Sequence, residues 1–139
     1  MVINLKGVRH KMLKQRDELI ISEALEYYLE AIYVLSADKP AVRITDIAMY
    51  LGISKPSVNR AVNSLKSAGL VEHEPYGDIS LTECGCIMGK NCLTKHRSIT
   101  RFFVEVLNLD DAAAESEACK IEHSLSQKTV ERMIDYMNG

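Results

Sequence analysis

Residues 43–70 read R-I-T-D-I-A-M-Y-L-G-I-S-K-P-S-V-N-R-A-V-N-S-L-K-S-A-G-L, and this stretch decides the fold. Thr45 suits the N-cap of a short helix whose apolar residues are Ile47, Ala48 and Leu51. Gly52 ends that helix in a tight turn, which Ile53 plugs from inside. Ser54 caps a second helix with Pro56 in its first turn, where the N–H that proline lacks has no intrahelical partner in any case. Val58, Val62 and Leu65 supply the buried stripe of that helix, and Gly69 stops it. Helix, short glycine-containing turn, helix is a helix-turn-helix.

The neighbouring segments extend the pattern. In residues 71–82, V-E-H-E-P-Y-G-D-I-S-L-T, Val71 and His73 alternate with charge, P-Y-G-D turns, and Ile79 and Leu81 alternate again, which predicts a β-hairpin. A hairpin directly after a helix-turn-helix is a wing. Upstream, Leu25, Tyr28, Leu29, Ile32 and Leu35 recur at helical offsets after a start at Ser22, and D-K-P at 38–40 closes that element. Residues 1–21 form an N-terminal extension with His10 and five Lys/Arg, either a separate helix or a basic arm. Downstream, Thr82 caps a long helix over about 83–107 carrying Ile87, Leu93, Phe102, Phe103, Val106 and Leu107. N-L-D-D at 108–111 breaks it, a helix through residues 117–126 follows, and a last helix at about 127–137 turns Val130, Met133 and Ile134 inward. The expected fold class is mainly α with a small β-hairpin: a winged helix-turn-helix over 22–82 and a helical domain over 83–139.

Bulk properties narrow the class of function. A chain of 139 residues with 47% hydrophobic content can bury a core. It shows no apolar run of the roughly 20 residues that span a bilayer and no secretory signal, so the expectation is a cytoplasmic protein without a membrane partner. Cys84, Cys86, Cys92 and Cys119 are then thiols rather than a disulfide framework. Charge is uneven. Residues 1–101 hold 14 Lys/Arg against 11 Asp/Glu, and residues 102–139 hold 3 against 8, so the basic part suits a polyanion.

A helix-turn-helix places the first turns of its second helix in a major groove. Ser54, Lys55, Pro56, Ser57, Asn59 and Arg60 occupy those turns. Asn59 suits paired hydrogen bonds to adenine and Arg60 to guanine, and Ser57 is short enough for bases or phosphates. Lys55, Lys66 and Arg43 neutralise phosphate, which supplies affinity and salt sensitivity but little sequence choice. The blander alternative is a solvated face on a helical hairpin; the wing argues against it. Double-stranded DNA is the expected partner.

The segment E-A-C-K-I-E-H-S-L-S, residues 117–126, raises a second chemistry. At about 100° per residue, Cys119, Glu122, His123 and Glu115 share roughly 100° of arc, beside a stripe of Ala114, Ala118, Ile121 and Leu125. Thiolate, imidazole and carboxylate at the edge of a core suit a divalent first-row transition metal better than calcium or magnesium. His96 and the Glu26-Tyr27-Glu30 group are donors available to complete a site. Singly, each is an ordinary core or surface residue; their clustering after a winged helix is what points to metal.

E-A-C-K-I-E-H, L-E-Y-Y-L-E-A-I-Y-V-L and the winged helix together resemble the iron- and manganese-dependent repressors, the family of the diphtheria toxin repressor and the manganese transport regulator. The resemblance covers roughly residues 22–137, and chain length is similar to the short branch without an SH3-like domain. It implies a homodimer formed by the C-terminal helices, so that 83–139 is a metal-binding and dimerisation domain. It also implies iron(II) or manganese(II) as cofactor, and repression of metal-uptake genes at palindromic operators. Carried over residue by residue, Cys119, Glu122, His123 and His96 match ligands, Glu30 matches a carboxylate ligand of the manganese type, and Glu115 falls where the iron type has an ancillary histidine. Tyr27 departs from both branches, which have Met or Asp there. The resulting set is a hybrid whose thiolate favours iron on softness.

Two rivals remain at the level of sequence. One is a winged-helix thiol sensor acting through Cys84, Cys86 or Cys92, since reactive thiols need nearby positive charge and Lys90, Lys95 and Arg97 follow closely. The other is a small metalloenzyme with an open zinc position. No phosphate-binding glycine loop, nucleophile elbow or H-E-x-x-H accompanies the ligands, so the expectation is a non-enzyme with no small-molecule substrate.

Overall fold

The computed structural model describes residues 22–139; the expectation for the N-terminal extension lies outside the described residues. The element order is α1 (Glu23–Asp38), α2 (Ile44–Leu51), α3 (Lys55–Ser67), β1 (Val71–His73), β2 (Ile79–Leu81), α4 (Glu83–Glu105), α5 (Asp111–Ile121) and α6 (Gln127–Asn138). Among the described residues, 22–90 form one compact unit and 91–139 a second, with α4 contributing to both. No described helix is long and apolar enough to cross a membrane.

In the first unit α1, α2 and α3 enclose a core of Leu29, Ile32, Ile47, Val58, Val62 and Leu65, closed below by Val42, Leu70, Val71 and Ile79. Gly52 adopts φ +67 at the end of α2, a conformation that favours glycine, and Ile53 packs on the core. Ser54 accepts from the Ser57 N–H at the start of α3, and Gly69 reverses the chain at φ +76. The short strands pair antiparallel, Val71 with Leu81 and His73 with Ile79. Ile79 also donates to the Val42 carbonyl at 2.7 Å, so the segment before α2 adds a one-residue third strand. At the hairpin tip Gly77 donates to the Glu74 carbonyl at 2.8 Å, with Pro75 and Tyr76 between. Tyr76 stands at φ +55, fully exposed.

Three expectations are corrected. Thr45 does not cap α2: the helix begins at Ile44, and the Asp46 carboxylate reaches back to the Arg43 N–H at 2.9 Å while pairing with Lys39 at 2.8 Å. A carboxylate in the first turn satisfies that donor with charge assistance, which a threonine hydroxyl cannot match. The long helix ends at Glu105, and Ile87 and Leu107 lie more than half exposed outside its buried face. The helix carrying Cys119 stops at Ile121, so Glu122 and His123 lie in its terminal turn.

The C-G-C-I-M-G-K-N-C run contributes through its glycines. A Cβ at Gly85 would lie 1.9 Å from the Leu70 carbonyl oxygen, and one at Gly89 2.8 Å from Tyr33 Cβ. Both positions let α4 settle against backbone and ring at a distance no side chain permits. Thr82 fastens the junction, donating to the Gly69 carbonyl at 2.7 Å and accepting from the Gly85 N–H at 3.1 Å. Cys84 and Cys86 are exposed, two positions apart on a helix and so pointing to opposite sides.

The second unit packs Ile99 of α4, Ala118 of α5 and Val130 of α6 together, with Phe103, Ile121, Leu125, Met133 and Ile134 around them. Asp110 and Ser126 cap α5 and α6 by accepting from Ala113 and Thr129.

Candidate metal centre and nucleic-acid interface

The buried stripe of α5 sets the rotation of its ligand-type residues. Ala114 and Ala118 are fully buried, so Glu115 and Cys119, one position on from each, sit on the exposed flank. Glu122, at the helix C-cap, turns inward and is only 2% exposed. His96 is brought to it from α4, three positions before buried Ile99 and on the same face.

His96 is held at both ring nitrogens. Nδ1 is hydrogen-bonded to the Glu122 carboxylate, and Nε2 lies 2.8 Å from Glu115 Oε1. Two carboxylate partners make both nitrogens donors, which is the imidazolium form. The Glu122 hydrogen bond is the main reason the His96 pKa is pushed up to about 9; burial opposes it and Glu115 adds to it. For Glu122, burial pushes the carboxyl upward, and the adjacent imidazoles of His123 and His96 together outweigh it and bring the pKa down to about 2. The second Glu122 oxygen is 3.0 Å from His123 Nε2.

A buried histidine between carboxylates is by itself a sound ion pair. What changes its character is the third donor: ligand atoms of His96, Glu115 and Cys119 all lie within 4.8 Å of one another. Nitrogen, oxygen and sulfur at that spacing can be closed around one ion by side-chain rotation, and the donor set fits a divalent transition metal. The structure therefore brings together five of the expected ligands, His96, Glu115, Cys119, Glu122 and His123. Glu115, expected only as an ancillary residue, is in direct contact with His96, as Glu122 is. Glu30 and Tyr27 stand on α1 in the other unit, Tyr27 packed edge-on against Tyr28 at 6.2 Å.

The residues expected to face DNA lie in the first unit. Ser54, Lys55, Pro56, Asn59 and Arg60 are exposed and Ser57 partly so. Ser57 Oγ accepts from Ser54 Oγ at 2.9 Å and from Arg60 Nη2 at 3.2 Å, so the first two turns of α3 are internally braced. An open groove of about 570 Å³ runs between α3 and the hairpin, with Arg43, Asn59, Asn63, Lys66, His73 and Tyr76 among its lining residues. Arg43 Nε lies 3.2 Å from Asp78 Oδ1, and Lys66 donates to the His73 carbonyl at 3.3 Å. Sequence reasoning missed Asn63, although its offset of four from Asn59 placed it on the same exposed face. It also missed Asp78, whose partner only the tertiary fold supplies.

Comparison with known proteins gives concordant results. Residues 21–79 match the family described as iron dependent repressor, N-terminal DNA binding domain, and residues 82–139 match iron dependent repressor, metal binding and dimerisation domain. An uncharacterised helix-turn-helix transcriptional regulator of Methanocaldococcus jannaschii is 39% identical over 118 residues, covering 84% of this chain and 94% of its own. The transcriptional regulator MntR of Lysinibacillus sphaericus is 30% identical over 112 residues, covering 81% of this chain and 80% of its own. The solved structure of the manganese regulator SloR is 32% identical and superposes with a TM-score of 0.73 over 82% of this chain, which spans about half (53%) of that longer protein.

Proposed function

The chain belongs to the iron dependent repressor family of metal-dependent, DNA-binding transcriptional regulators, and on that premise we propose that it senses iron(II) or manganese(II) and represses metal-homeostasis genes from the cytoplasm. A divalent metal, DNA and a second copy of the chain are the ligand classes of the family. As finer proposals, the DNA is a palindromic operator, read by two α3 helices of a homodimer assembled through 83–139, with no small-molecule substrate turned over. The domain division proposed is 1–21 extension, 22–82 DNA-binding domain and 83–139 metal-binding and dimerisation domain.

The observation that carries this reading is the convergence of His96, Glu115 and Cys119 in a chain that also holds a winged helix-turn-helix. His96, Cys119, Glu122 and His123 are the proposed ligands, with Glu115 beside them; Glu30 and Tyr27 are added on the family resemblance. A bound divalent ion supplies the charge that lets thiolate and carboxylates share one small volume. His96 must give up its second ring proton to become a ligand, releasing the ion pairs that hold it in this structure. His96 lies on α4, the helix that contributes to both units. Metal shifts DNA affinity only if the metal-bound and the metal-free protein bind DNA differently.

The thiolate favours iron over manganese on softness, whereas SloR is named a manganese regulator. The test is to titrate reduced protein with iron(II), manganese(II), zinc and cobalt while following retention of a candidate promoter fragment. DNA retention that appears with iron(II) or manganese(II) and reverses with chelator is expected. Retention indifferent to every metal and to chelator defeats the proposal.

A further inference from the structure

Resting on the reading of α3 and the hairpin as a DNA interface, we propose that Asp78 sets the affinity of that interface by competing with phosphate for the guanidinium of Arg43. The hairpin, residues 71–81, carries Glu72, Glu74 and Asp78 and no lysine or arginine, whereas α3 carries Lys55, Arg60 and Lys66 and no acid. All six side chains are on exposed residues. The two elements that flank the groove thus carry charge of opposite sign, Lys66 being in its lining, and a phosphate strand drawn to α3 meets the repulsive field of the hairpin. The hairpin has no lysine or arginine with which to neutralise phosphate.

Arg43 stands where the two fields meet, at the start of α2 and in the groove lining. Its Nε lies 3.2 Å from Asp78 Oδ1, and the two side chains are 62% and 52% exposed. One edge of the guanidinium fork already faces an anion. A phosphate oxygen arriving at that edge must displace the carboxylate or sit beside it as a like charge, and either weakens the contact. Exposed pairs of this kind are weak enough to exchange, so Asp78 lowers affinity without blocking it. The other interface cations are held differently: Lys66 donates to the neutral His73 carbonyl and Arg60 to the Ser57 hydroxyl, and neither leaves an anion behind when phosphate takes over. A carboxylate that served to aim Arg43 would have to stay beside it after phosphate arrived, two anions on one edge of an already acidic hairpin.

The test uses the full chain in saturating manganese(II) with a random-sequence duplex, measuring affinity by fluorescence anisotropy across a salt series. Wild type, Asp78→Asn, Arg43→Gln and the double variant are compared. Asp78→Asn is expected to tighten binding by about two- to fivefold and to steepen the log–log salt slope by up to about 0.9, the contribution of one phosphate. In the Arg43→Gln background the same change is expected to have at most a small residual effect on either quantity, from the general charge of the wing. Weaker binding by Asp78→Asn would make Asp78 an aiming residue and overturn the proposal, as would no change. An equal gain in both backgrounds would overturn it too, by reducing Asp78 to general wing charge. Wild type that retains no duplex at low salt removes the DNA reading itself, and this proposal with it; wild type that binds while the variants fail the pattern removes the proposal alone.

Discussion

Nε2 of His96 lies 2.8 Å from Oε1 of Glu115, on a ring whose Nδ1 is already committed to the buried carboxylate of Glu122. The imidazole is therefore clamped as a cation between two anions, at the place where a metal ion would need it neutral. On the proposed ligand set, proton and metal compete for one ring.

That competition has a pH signature. The His96 pKa is raised from its ordinary 6.5 to about 9, so its contribution to the stability of the metal-free protein is fully present below 6.5 and is lost as pH rises through 9. The Glu122 pKa is lowered from 4.5 to about 2, so its contribution is present above 4.5 and lost as pH falls through 2. Metal-free protein is expected to melt highest between 4.5 and 6.5 and to lose thermal stability toward alkaline pH. Calorimetry in buffers of different ionisation enthalpy at neutral pH should show about two protons released per ion bound, one from this ring and one from the Cys119 thiol. A melting curve flat from neutral to strongly alkaline pH would contradict the clamp.

Glu122 and Cys119 should separate structure from sensing. Glu122→Ala leaves the buried His96 without its inner partner and is expected to cost about 3–5 kcal/mol in denaturant unfolding of metal-free protein. Cys119 is exposed, so Cys119→Ser should stay within about 0.5 kcal/mol of wild type, while metal affinity drops at least roughly tenfold and metal-dependent DNA retention is lost. Unchanged retention by Cys119→Ser in limiting metal would remove the thiol from the ligand set.

Gly85→Ala tests the seating of α4. The added Cβ would stand 1.9 Å from the Leu70 carbonyl oxygen, and backbone cannot step aside as a flexible side chain can. A loss of about 3 kcal/mol or more is expected, with Cys86→Ala, on an exposed position of the same turn, as the near-neutral control. Equal melting temperatures for the two variants would show that the junction opens freely.

Within α3 the expected division of labour is between reading and holding. Arg60→Ala should flatten sequence preference on a panel of shuffled duplexes, at about 1–3 kcal/mol for its preferred site. Lys55→Ala should weaken every duplex alike and lower the salt slope by about 0.9. Identical behaviour of both variants on the panel would refute the distinction.

The helix-turn-helix was legible because its signals are local. Gly52, Ser54, Pro56 and Gly69 each impose a backbone conformation regardless of what packs above them, and Val58, Val62 and Leu65 repeat at the period of the helix they bury. The arc of Cys119, Glu122 and His123 was legible for the same reason of spacing. Where α5 would stop was not: its end at Ile121 turns Glu122 into the interior, and helix ends depend on what the last turn meets. The thiol-rich run at 84–92 drew attention to its sulfurs, whereas its glycines matter for packing, because the atoms they must clear belong to Leu70 and Tyr33, far away in sequence.

Composition, caps and periodicity by themselves determined a winged helix-turn-helix followed by helices bearing a cluster of thiol, imidazole and carboxylate side chains, since each is set by a residue and its neighbours within a turn or two. Only the tertiary structure decided that His96 meets Glu115 and Glu122 on one ring, and that Asp78 stands across from Arg43. Those pairings join residues 19, 26 and 35 positions apart, and electrostatic contact depends on distance in space, which the order of residues along a chain does not specify.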